Sequence, residues 1–233
     1  MIDFHSHVLP DMDDGSKSVD ESRLMLESLM QQGVKKVIAT PHFYADEESV
    51  EAFLTRRNVA VRSLKKSIPR KLQLIVGAEV KYYSGISRLP ELKKLRIEGS
   101  KLLLLEMPFA QWSDSEIKEL IDISTQSSIT LVLAHIERYL SFQKKDVLLH
   151  LLAHDILFQA NAGFFNHGIA SFKAVRMLKK NQIHFIGSDC HNMTSRPPNI
   201  DNAVSFIKRT CGESFVKEYT DYGNALFLKN ITK

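Results

Sequence analysis

Two histidines one residue apart, His5 and His7 in the opening segment MIDFHSH, are the first side chains of this sequence that could do chemistry. The segment has the character of a strand, and side chains at positions i and i+2 of a strand point to the same face. Two neutral imidazoles on one face are a suitable pair of metal ligands. Because such a pair also arises by chance, the other polar residues of the chain decide its meaning.

Histidines and carboxylates recur at the ends of the other apolar segments. The sequence predicts seven strands, at residues 1–5, 35–42, 72–80, 101–108, 129–135, 156–163 and 183–189, with amphipathic helical segments between them. These strands end in, or are followed directly by, His5 and His7, His42, Glu79, Glu106, His135, Asn161, and Asp189 with His191. Alternating strand and helix segments in one continuous chain indicate a single α/β domain with a mostly parallel sheet, closed into a barrel or open.

The carboxyl ends of parallel strands meet at one mouth, so we expect these polar side chains to lie together. Strand ends without a shared purpose would carry Ser, Thr, Asn, Lys and Gly as often as His, Asp and Glu, and they would leave crowded carboxylates without a cation. Imidazoles and carboxylates without a thiolate exclude a cysteine-type structural zinc site and suit manganese, iron or zinc in a catalytic site. The number of ligands predicts two or three ions, which would bind phosphate oxygens and activate water.

Composition and charge limit the classes of function. The 233-residue chain has a net charge of +4 with interspersed acids, which does not favour a nucleic acid partner. Residues 56–71 carry basic residues and no acid; they are interpreted as a solvated helix face or, alternatively, as a docking surface for an acidic partner. Cys190 and Cys211 form no CxxC motif. With no signal peptide and no apolar run that could span a bilayer, we expect a cytoplasmic protein without membrane insertion.

The motifs HSH, TPH, GAE, AHIERY and SDxH, in this order, resemble those of the PHP (polymerase and histidinol phosphatase) superfamily. Within it, the segments HSHVLPDMDDGSKS, GAEV, AHIERY and SDCHNMTSRPP resemble the metal-dependent protein tyrosine phosphatases of bacterial capsule and exopolysaccharide systems, over essentially the whole chain. The resemblance implies a distorted seven-stranded β/α barrel, one phosphatase domain over residues 1–233, and a trinuclear metal centre. Manganese is the expected ion, with iron or zinc as alternatives. The implied partner is a bacterial tyrosine autokinase, dephosphorylated on its tyrosine-rich tail.

The resemblance also implies which residues hold the three ions. The first ion would be held by His5, His7, Glu79 and Asp189; the second by Glu79, which bridges, with Glu106 and His135; the third by Asp14, His42 and His191. Asp11 and Asp13 compete with Asp14 on pattern alone, and the resemblance favours Asp14. Without the resemblance, the DDGS segment reads as a turn and helix cap. His167, in the loop after the sixth strand, is a further candidate for the mouth.

Two arginines, Arg138 in HIER and Arg196 in SRPP, are implied by the resemblance to bind the phosphate, the alternative being surface ion pairs. The expected reaction is hydrolysis of phosphotyrosine by in-line attack of a metal-activated hydroxide, without a phosphoenzyme. A small substrate such as histidinol phosphate is the alternative within the superfamily. A non-catalytic binding module is disfavoured because a candidate ligand stands at almost every strand end.

Residues 190–196, CHNMTSR, formally fit Cys-x5-Arg, the signature of the cysteine-dependent tyrosine phosphatases. That motif needs a loop of backbone N–H groups around the phosphate, which glycine usually assists, and HNMTS contains no glycine. If Asp189 and His191 face the metals from an extended backbone, Cys190 faces away from them. The sequence therefore favours the metal-dependent mechanism over the thiolate mechanism.

The two mechanisms predict opposite rankings of two variants. In the metal-dependent mechanism, Cys190→Ser retains most of the turnover of a phosphopeptide because the thiol takes no part, whereas His135→Ala loses most of it because one metal site is opened. Both variants are assayed on one phosphopeptide with metal in excess, after their folding is checked. An inactive Cys190→Ser protein with its full complement of metal, or a phosphocysteine trapped by rapid acid quench, would support the thiolate mechanism instead.

Overall fold

The computed structural model describes residues 1–166 and 168–232, in which parallel strands alternate with helices. The strands are β1 Ile2–Ser6, β2 Lys36–Ala39, β3 His42–Phe43, β4 Gln73–Val76, β5 Glu79–Lys81, β6 Leu102–Glu106, β7 Thr130–Leu133, β8 Leu157–Asn161 and β9 Phe185–Gly187. The α-helices are α1 Val19–Gln31, α2 Val50–Leu64, α3 Asp114–Ser124, α4 Lys145–Ala153, α5 Gly168–Lys179, α6 Ile200–Cys211 and α7 Glu213–Lys229. None of the helices in the described ranges has the length and apolar character needed to cross a membrane.

The strands form a curled sheet of six, in the order β3-β5-β6-β7-β8-β9, and a sheet of three, β1-β2-β4. The predicted α/β fold with a mostly parallel sheet is confirmed, since every pair of strands in these sheets is parallel. The predicted count of seven strands is not reproduced, because two of the predicted strands are each divided in two.

Both divisions fall at the same level of the sheet. Pro41 separates β2 from β3 because a proline has no N–H group to donate to a ladder. Gly77 separates β4 from β5 where the chain passes Ile97 so closely that a Cβ on Gly77 would lie 3.0 Å from its side chain. The register continues across the gap, since Ala39 pairs with Val76 and His42 pairs with Glu79. As a result of the two divisions, His42 and Glu79 lie side by side at the start of β3 and β5.

The two faces of the sheets carry different apolar clusters. Leu103 and Leu105 of β6 pack with the helices, whereas Leu102 and Leu104 face a second core shared with Phe4 and other strand residues. Glu106 follows Leu104 by two positions, and its carboxylate therefore leaves this inner core at the carboxyl end of the strand. Because both faces of the sheet are buried, the strand interiors are almost wholly apolar.

The contact between β1 and β9 joins the first strand to the last. Asp189 donates its N–H to the carbonyl of His5 over 2.8 Å, and His7 donates to the carbonyl of Cys190 over 2.9 Å. The buried carboxylate of Asp3 accepts hydrogen bonds from both the N–H and the hydroxyl of Ser188, at 2.7 and 2.6 Å. This junction places the HSH segment directly beside the SDCH segment.

Two helices begin at serine residues that cap them. Ser18 precedes α1 and its side chain accepts a hydrogen bond from the N–H of Glu21. Ser113 precedes α3 and forms a reciprocal capping box with Glu116. Both helices follow loops at the carboxyl ends of strands, where the mouth lies. The caps therefore fix the residue at which each helix begins and leads away from the mouth.

The basic segment 56–71 runs away from the mouth. It occupies α2 from its second turn and the connection to β4, so its last residues lie at the amino ends of the strands. Arg57 is buried and donates to the carbonyl of Gly77 over 2.7 Å, while Arg56 is paired with Glu48. The segment therefore begins beside the loop of Asp13 and Asp14, where Arg56 also donates to the carbonyl of Met12 over 3.2 Å, and it ends at the opposite end of the sheet; its role as a docking surface stays a prediction.

The β1–β9 junction predicts a steric requirement for glycine at position 187. A Cβ there would lie 2.5 Å from Cβ of His5 and 2.8 Å from its backbone nitrogen, so Gly187→Ala forces the strands apart. We expect a loss of about 1–3 kcal/mol in the free energy of unfolding, measured by urea denaturation. Gly163→Ala is the matched control, because a Cβ at Gly163 meets no atom within 4 Å. Equal stability of the two variants would contradict this packing.

Candidate metal centre

The carboxylate of Glu79, at the start of β5, is the centre of the cluster at the strand ends. Its Oε2 lies 3.1 Å from Nε2 of His5, 3.3 Å from Nε2 of His7 and 3.1 Å from Nδ1 of His42. Its Oε1 lies 2.9 Å from Nε2 of His135. Burial alone would raise the pKa of Glu79, but the surrounding imidazoles, His5 foremost, hold it well below its usual range.

Three of the histidines are oriented by hydrogen bonds to their Nδ1 atoms. Nδ1 of His5 lies 3.2 Å from Oε1 of Gln159, and Nδ1 of His7 lies 2.7 Å from a carboxylate oxygen of Asp13. Nδ1 of His191 lies 3.0 Å from the carbonyl of Asp189. Because these acceptors hold the proton on Nδ1, the Nε2 lone pair of each ring is left free to bind a metal.

The structure brings all nine predicted ligands to one place. Ligand atoms lie within 4.8 Å of one another in three groups: His7, Asp14, His42 and His191; His5, His7 and Asp189; His42, Glu79 and Glu106. His135 joins the third group, with its Nε2 at 3.2 Å from Glu106. Unlike the expected partition among three ions, His7 and His42 each belong to two groups. Which ion each residue would hold stays a prediction.

The donor atoms of the cluster fit metal ions. Nε2 of His5 and Nε2 of His7 lie 3.1 Å apart, and with both Nδ1 atoms protonated their lone pairs face each other. Nδ1 of His135 is buried without a hydrogen-bond partner, and Nδ1 of His42 and Nε2 of His191 are buried near carboxylate oxygens without the alignment of a hydrogen bond. Facing lone pairs and unpaired buried nitrogens are costly unless a cation lies among them. The residues present are therefore suited to divalent ions bound by nitrogen and oxygen.

The structure separates the three aspartates that the sequence pattern left in competition. The carboxylate of Asp13 is occupied by the ring of His7 and by the N–H groups of Gly15 and His42, at 2.7–2.9 Å. Asp14, with 65% of its side chain exposed, has Oδ1 at 3.2 Å from Nε2 of His191. Asp11 is exposed and belongs to none of the groups found among the described residues. The geometry thus agrees with Asp14 as the ligand and gives Asp13 an orienting role.

Both predicted phosphate-binding arginines lie at the mouth. Nη2 of Arg138 and Nη2 of Arg196 each lie 2.8 Å from Oδ2 of Asp189. Asn161, at the end of β8, donates to the same oxygen over 2.7 Å. The two guanidinium groups are partly exposed, so they can contact both the cluster and a bound anion.

Two of the predicted ligands have a strained backbone. His135 has φ 32° and Asp189 has φ 53°, in the left-handed region that non-glycine residues rarely adopt. Such strain is found where the surrounding structure holds a functional side chain in place. The short helical turn Ile136–Tyr139 follows His135 directly and contains Arg138, so the strained residue also sets the position of the arginine.

Cys190 does not face the cluster. Its side chain is fully buried in the hydrophobic core, and burial raises the pKa of its thiol well above the usual range. A buried, protonated thiol is unreactive. This geometry disagrees with a thiolate mechanism. The other residue singled out by the sequence, His167, lies outside the described residues.

Sequence reasoning missed Gln159 and gave no role to Asp3. Oε1 of Gln159 accepts from the N–H of His135 over 2.7 Å and contacts the ring of His5, so one amide orients two predicted ligands. A signal was present, because Gln159 is a polar residue within an apolar strand, two positions before Asn161 and on the same face. Its Nε2 donates to Oδ1 of Asn161 over 3.0 Å.

A curled parallel α/β sheet with imidazoles and carboxylates at its carboxyl end is typical of metal-dependent hydrolases, and the two arginines suit a phosphate ester as substrate. The family model described as "Capsular polysaccharide synthesis, CpsB/CapC" matches residues 1–230. The chain belongs to this family, which confirms the resemblance found in the sequence.

The chain is similar to curated relatives over nearly its whole length. It is 30% identical to tyrosine-protein phosphatase CpsB of Streptococcus agalactiae, with 99% of this chain and 96% of the relative covered. It is 29% identical to tyrosine-protein phosphatase YwqE of Bacillus subtilis, with 100% and 93% covered. A crystal structure from the pair YwqE of Bacillus subtilis and CpsB of Streptococcus pneumoniae, described as metal-dependent tyrosine phosphatases, is 26% identical with a TM-score of 0.81. It covers 100% of this chain and 96% of that chain.

The contact between Asp13 and His7 predicts an effect on metal binding. Asp13→Asn removes the negative charge that holds the proton on Nδ1 of His7, and we expect the affinity for divalent metal to fall by roughly ten- to a hundredfold. The measurement is a metal titration with elemental analysis at equilibrium. Asp11→Asn is the matched control, since Asp11 is exposed and two residues away. Equal affinities of the two variants would show that Asp13 does not support the site.

Proposed function

We propose that this protein is a metal-dependent protein tyrosine phosphatase that hydrolyses phosphotyrosine on a bacterial tyrosine kinase of capsule or exopolysaccharide synthesis. The observation that carries the proposal is the convergence of Arg138 and Arg196 on one oxygen of Asp189, at the mouth of a cluster suited to metal ions. The names of the relatives and the membership of the capsular polysaccharide family support the substrate class.

The side chains of the site have separate roles in the hydrolysis of a phosphate ester. When bound, divalent ions supply positive charge to the phosphoryl oxygens and activate water as the nucleophile. Arg138 and Arg196 donate charge-assisted hydrogen bonds to the remaining phosphoryl oxygens and align the ester. Glu79 stays ionised, because its pKa is held low, and offers both oxygens to the cluster. The leaving phenol has a pKa near 10, so its departure needs less assistance than that of an alkyl alcohol.

We further propose a trinuclear centre with manganese, and with iron or zinc as alternatives, held by His5, His7, Asp14, His42, Glu79, Glu106, His135, Asp189 and His191. The mixture of nitrogen and oxygen donors without sulfur supports ions of this kind. Glu79 is the proposed bridge, because its two oxygens contact different sets of imidazoles. The three groups share His7 and His42, so the same residues would take part in holding more than one ion.

We also propose a seven-stranded barrel, a single domain and a cytoplasmic location for this protein. A distorted seven-stranded barrel follows if β2 with β3, and β4 with β5, are each counted as one strand, since the register continues across both divisions. The hydrogen bonds between β1 and β9 support closure of this arrangement. We propose one phosphatase domain over residues 1–233, acting in the cytoplasm, where the kinase's phosphorylated segment would be accessible.

Removal of metal tests the proposal directly. Treatment with a strong chelator should abolish hydrolysis of phosphotyrosine peptides, and addition of manganese should restore it, because the ions supply the nucleophile and neutralise the phosphate. Turnover is measured on phosphotyrosine peptides, the matched phosphoserine peptides and histidinol phosphate, with metal content determined by elemental analysis.

The expected ranking places phosphotyrosine peptides first in kcat/KM. Full activity of protein shown to be free of metal would refute the metal-dependent mechanism. A preference for histidinol phosphate would move the protein to the small-substrate branch of the superfamily.

A further inference from the structure

Phe109 is an exposed aromatic residue at the mouth of the metal centre, and no step described above uses it. It lies in the connection between β6 and α3, three positions after Glu106, and 47% of its surface is exposed. Its ring centroid lies 5.6 Å from that of His135 and 5.8 Å from that of the buried Tyr139, to which it is nearly parallel. One part of the ring is therefore packed in place while the rest is open to solvent.

The same ring contacts a proposed phosphate-binding arginine. The guanidinium carbon of Arg138 lies 5.6 Å from the centroid of Phe109, within the range of a cation–π interaction, while its Nη2 reaches Asp189. Arg138 thus spans the short distance between the exposed ring and the metal centre. A phosphate held by Arg138 would carry its ester group into the space beside Phe109.

A second aromatic ring lies on another side of the centre. The ring of Tyr44 lies 5.3 Å from that of His42 at an interplanar angle of 26°, and the ammonium of Lys81 lies 5.0 Å from the Tyr44 centroid. His42 and His135 contact different oxygens of Glu79, so Tyr44 and Phe109 adjoin imidazoles on different sides of this carboxylate. Two aromatic rings therefore adjoin the histidines of the centre, and one of them, Phe109, also lies next to Arg138.

We propose that Phe109 is a specificity-determining residue that packs against the aromatic ring of the substrate and selects aryl over alkyl phosphate monoesters, an inference that rests on the proposed function. In an aryl phosphate the ring is joined to phosphorus through a single oxygen, so binding of the phosphate brings the ring close to the mouth. Aromatic rings pack favourably in offset or edge-to-face arrangements, which an alkyl ester cannot match.

The test compares two non-hydrolysable anions, phenylphosphonate and methylphosphonate, which share the phosphonate group and differ in the ring. Their dissociation constants are measured by calorimetry on the manganese-loaded protein, for the wild type, Phe109→Ala, Phe109→Tyr and Phe142→Ala. Phe142 is the matched control, because it is a phenylalanine of similar exposure, 42%, in the connection between β7 and α4. Metal content and unfolding are measured for each variant.

The expected result is that Phe109→Ala lowers the preference for phenylphosphonate over methylphosphonate by roughly three- to tenfold, the scale of one aromatic pair. Phe109→Tyr retains the preference, and Phe142→Ala leaves it unchanged. In turnover of phosphotyrosine peptides, the loss in Phe109→Ala appears in KM more than in kcat. An equal weakening of both phosphonates would assign Phe109 a structural role only, and an unchanged preference would overturn the inference.

The outcomes distinguish this inference from the proposed function. If the wild-type protein binds both phosphonates and hydrolyses phosphotyrosine while Phe109→Ala keeps the wild-type preference, only the inference fails. If the manganese-loaded wild type binds neither phosphonate and hydrolyses no phosphate ester, the proposed function fails, and the inference fails with it.

Discussion

The crowding of imidazole nitrogens and carboxylate oxygens around the buried side chain of Glu79 is the constraint on which the rest of the structure depends. Four histidines contact this one carboxylate, and two of them, His5 and His7, bring their Nε2 atoms within 3.1 Å of each other. Such an arrangement is unfavourable by itself, because lone pairs face each other and buried polar atoms lack partners. It persists only if the surrounding chain holds each ring in place, and it becomes favourable with cations among the donors.

The surrounding chain supplies that support through backbone geometry and a few buried polar side chains. The matched divisions of β2–β3 and β4–β5 make His42 and Glu79 direct neighbours in the sheet. Asp13 and Gln159 orient the rings of His7 and His5, and the hydrogen bonds between Asp3 and Ser188 hold the first strand against the last. Asp13 and Gln159 thereby decide which nitrogen of His7 and of His5 is available to a metal.

The chemistry at the mouth follows from the contrast between buried anions and partly exposed cations. Asp189 presents one oxygen to the histidines and the other to Arg138 and Arg196, so it lies between the metal centre and the proposed phosphate site. Two residues of the SDCH segment turn toward the centre, whereas Cys190 is buried in the core behind them. Residues 190–196 therefore match the Cys-x5-Arg signature in sequence, but the thiol of Cys190 points into the core and not toward the proposed phosphate site.

The sequence by itself determined the types and order of the polar residues at the strand ends, and with them the α/β class. These follow from local and topological rules, namely the two-residue periodicity of strands and the meeting of parallel strand ends at one edge. The order of the motifs along the chain determined the family. It did not determine that Asp14 rather than Asp13 faces His191, nor that Gln159 orients His5, because these contacts depend on distances between segments far apart in the chain. The division of two strands likewise depended on the tertiary structure. Pro41 is visible in the sequence, but only the packing of Ile97 against Gly77 shows that the neighbouring strand divides at the same level.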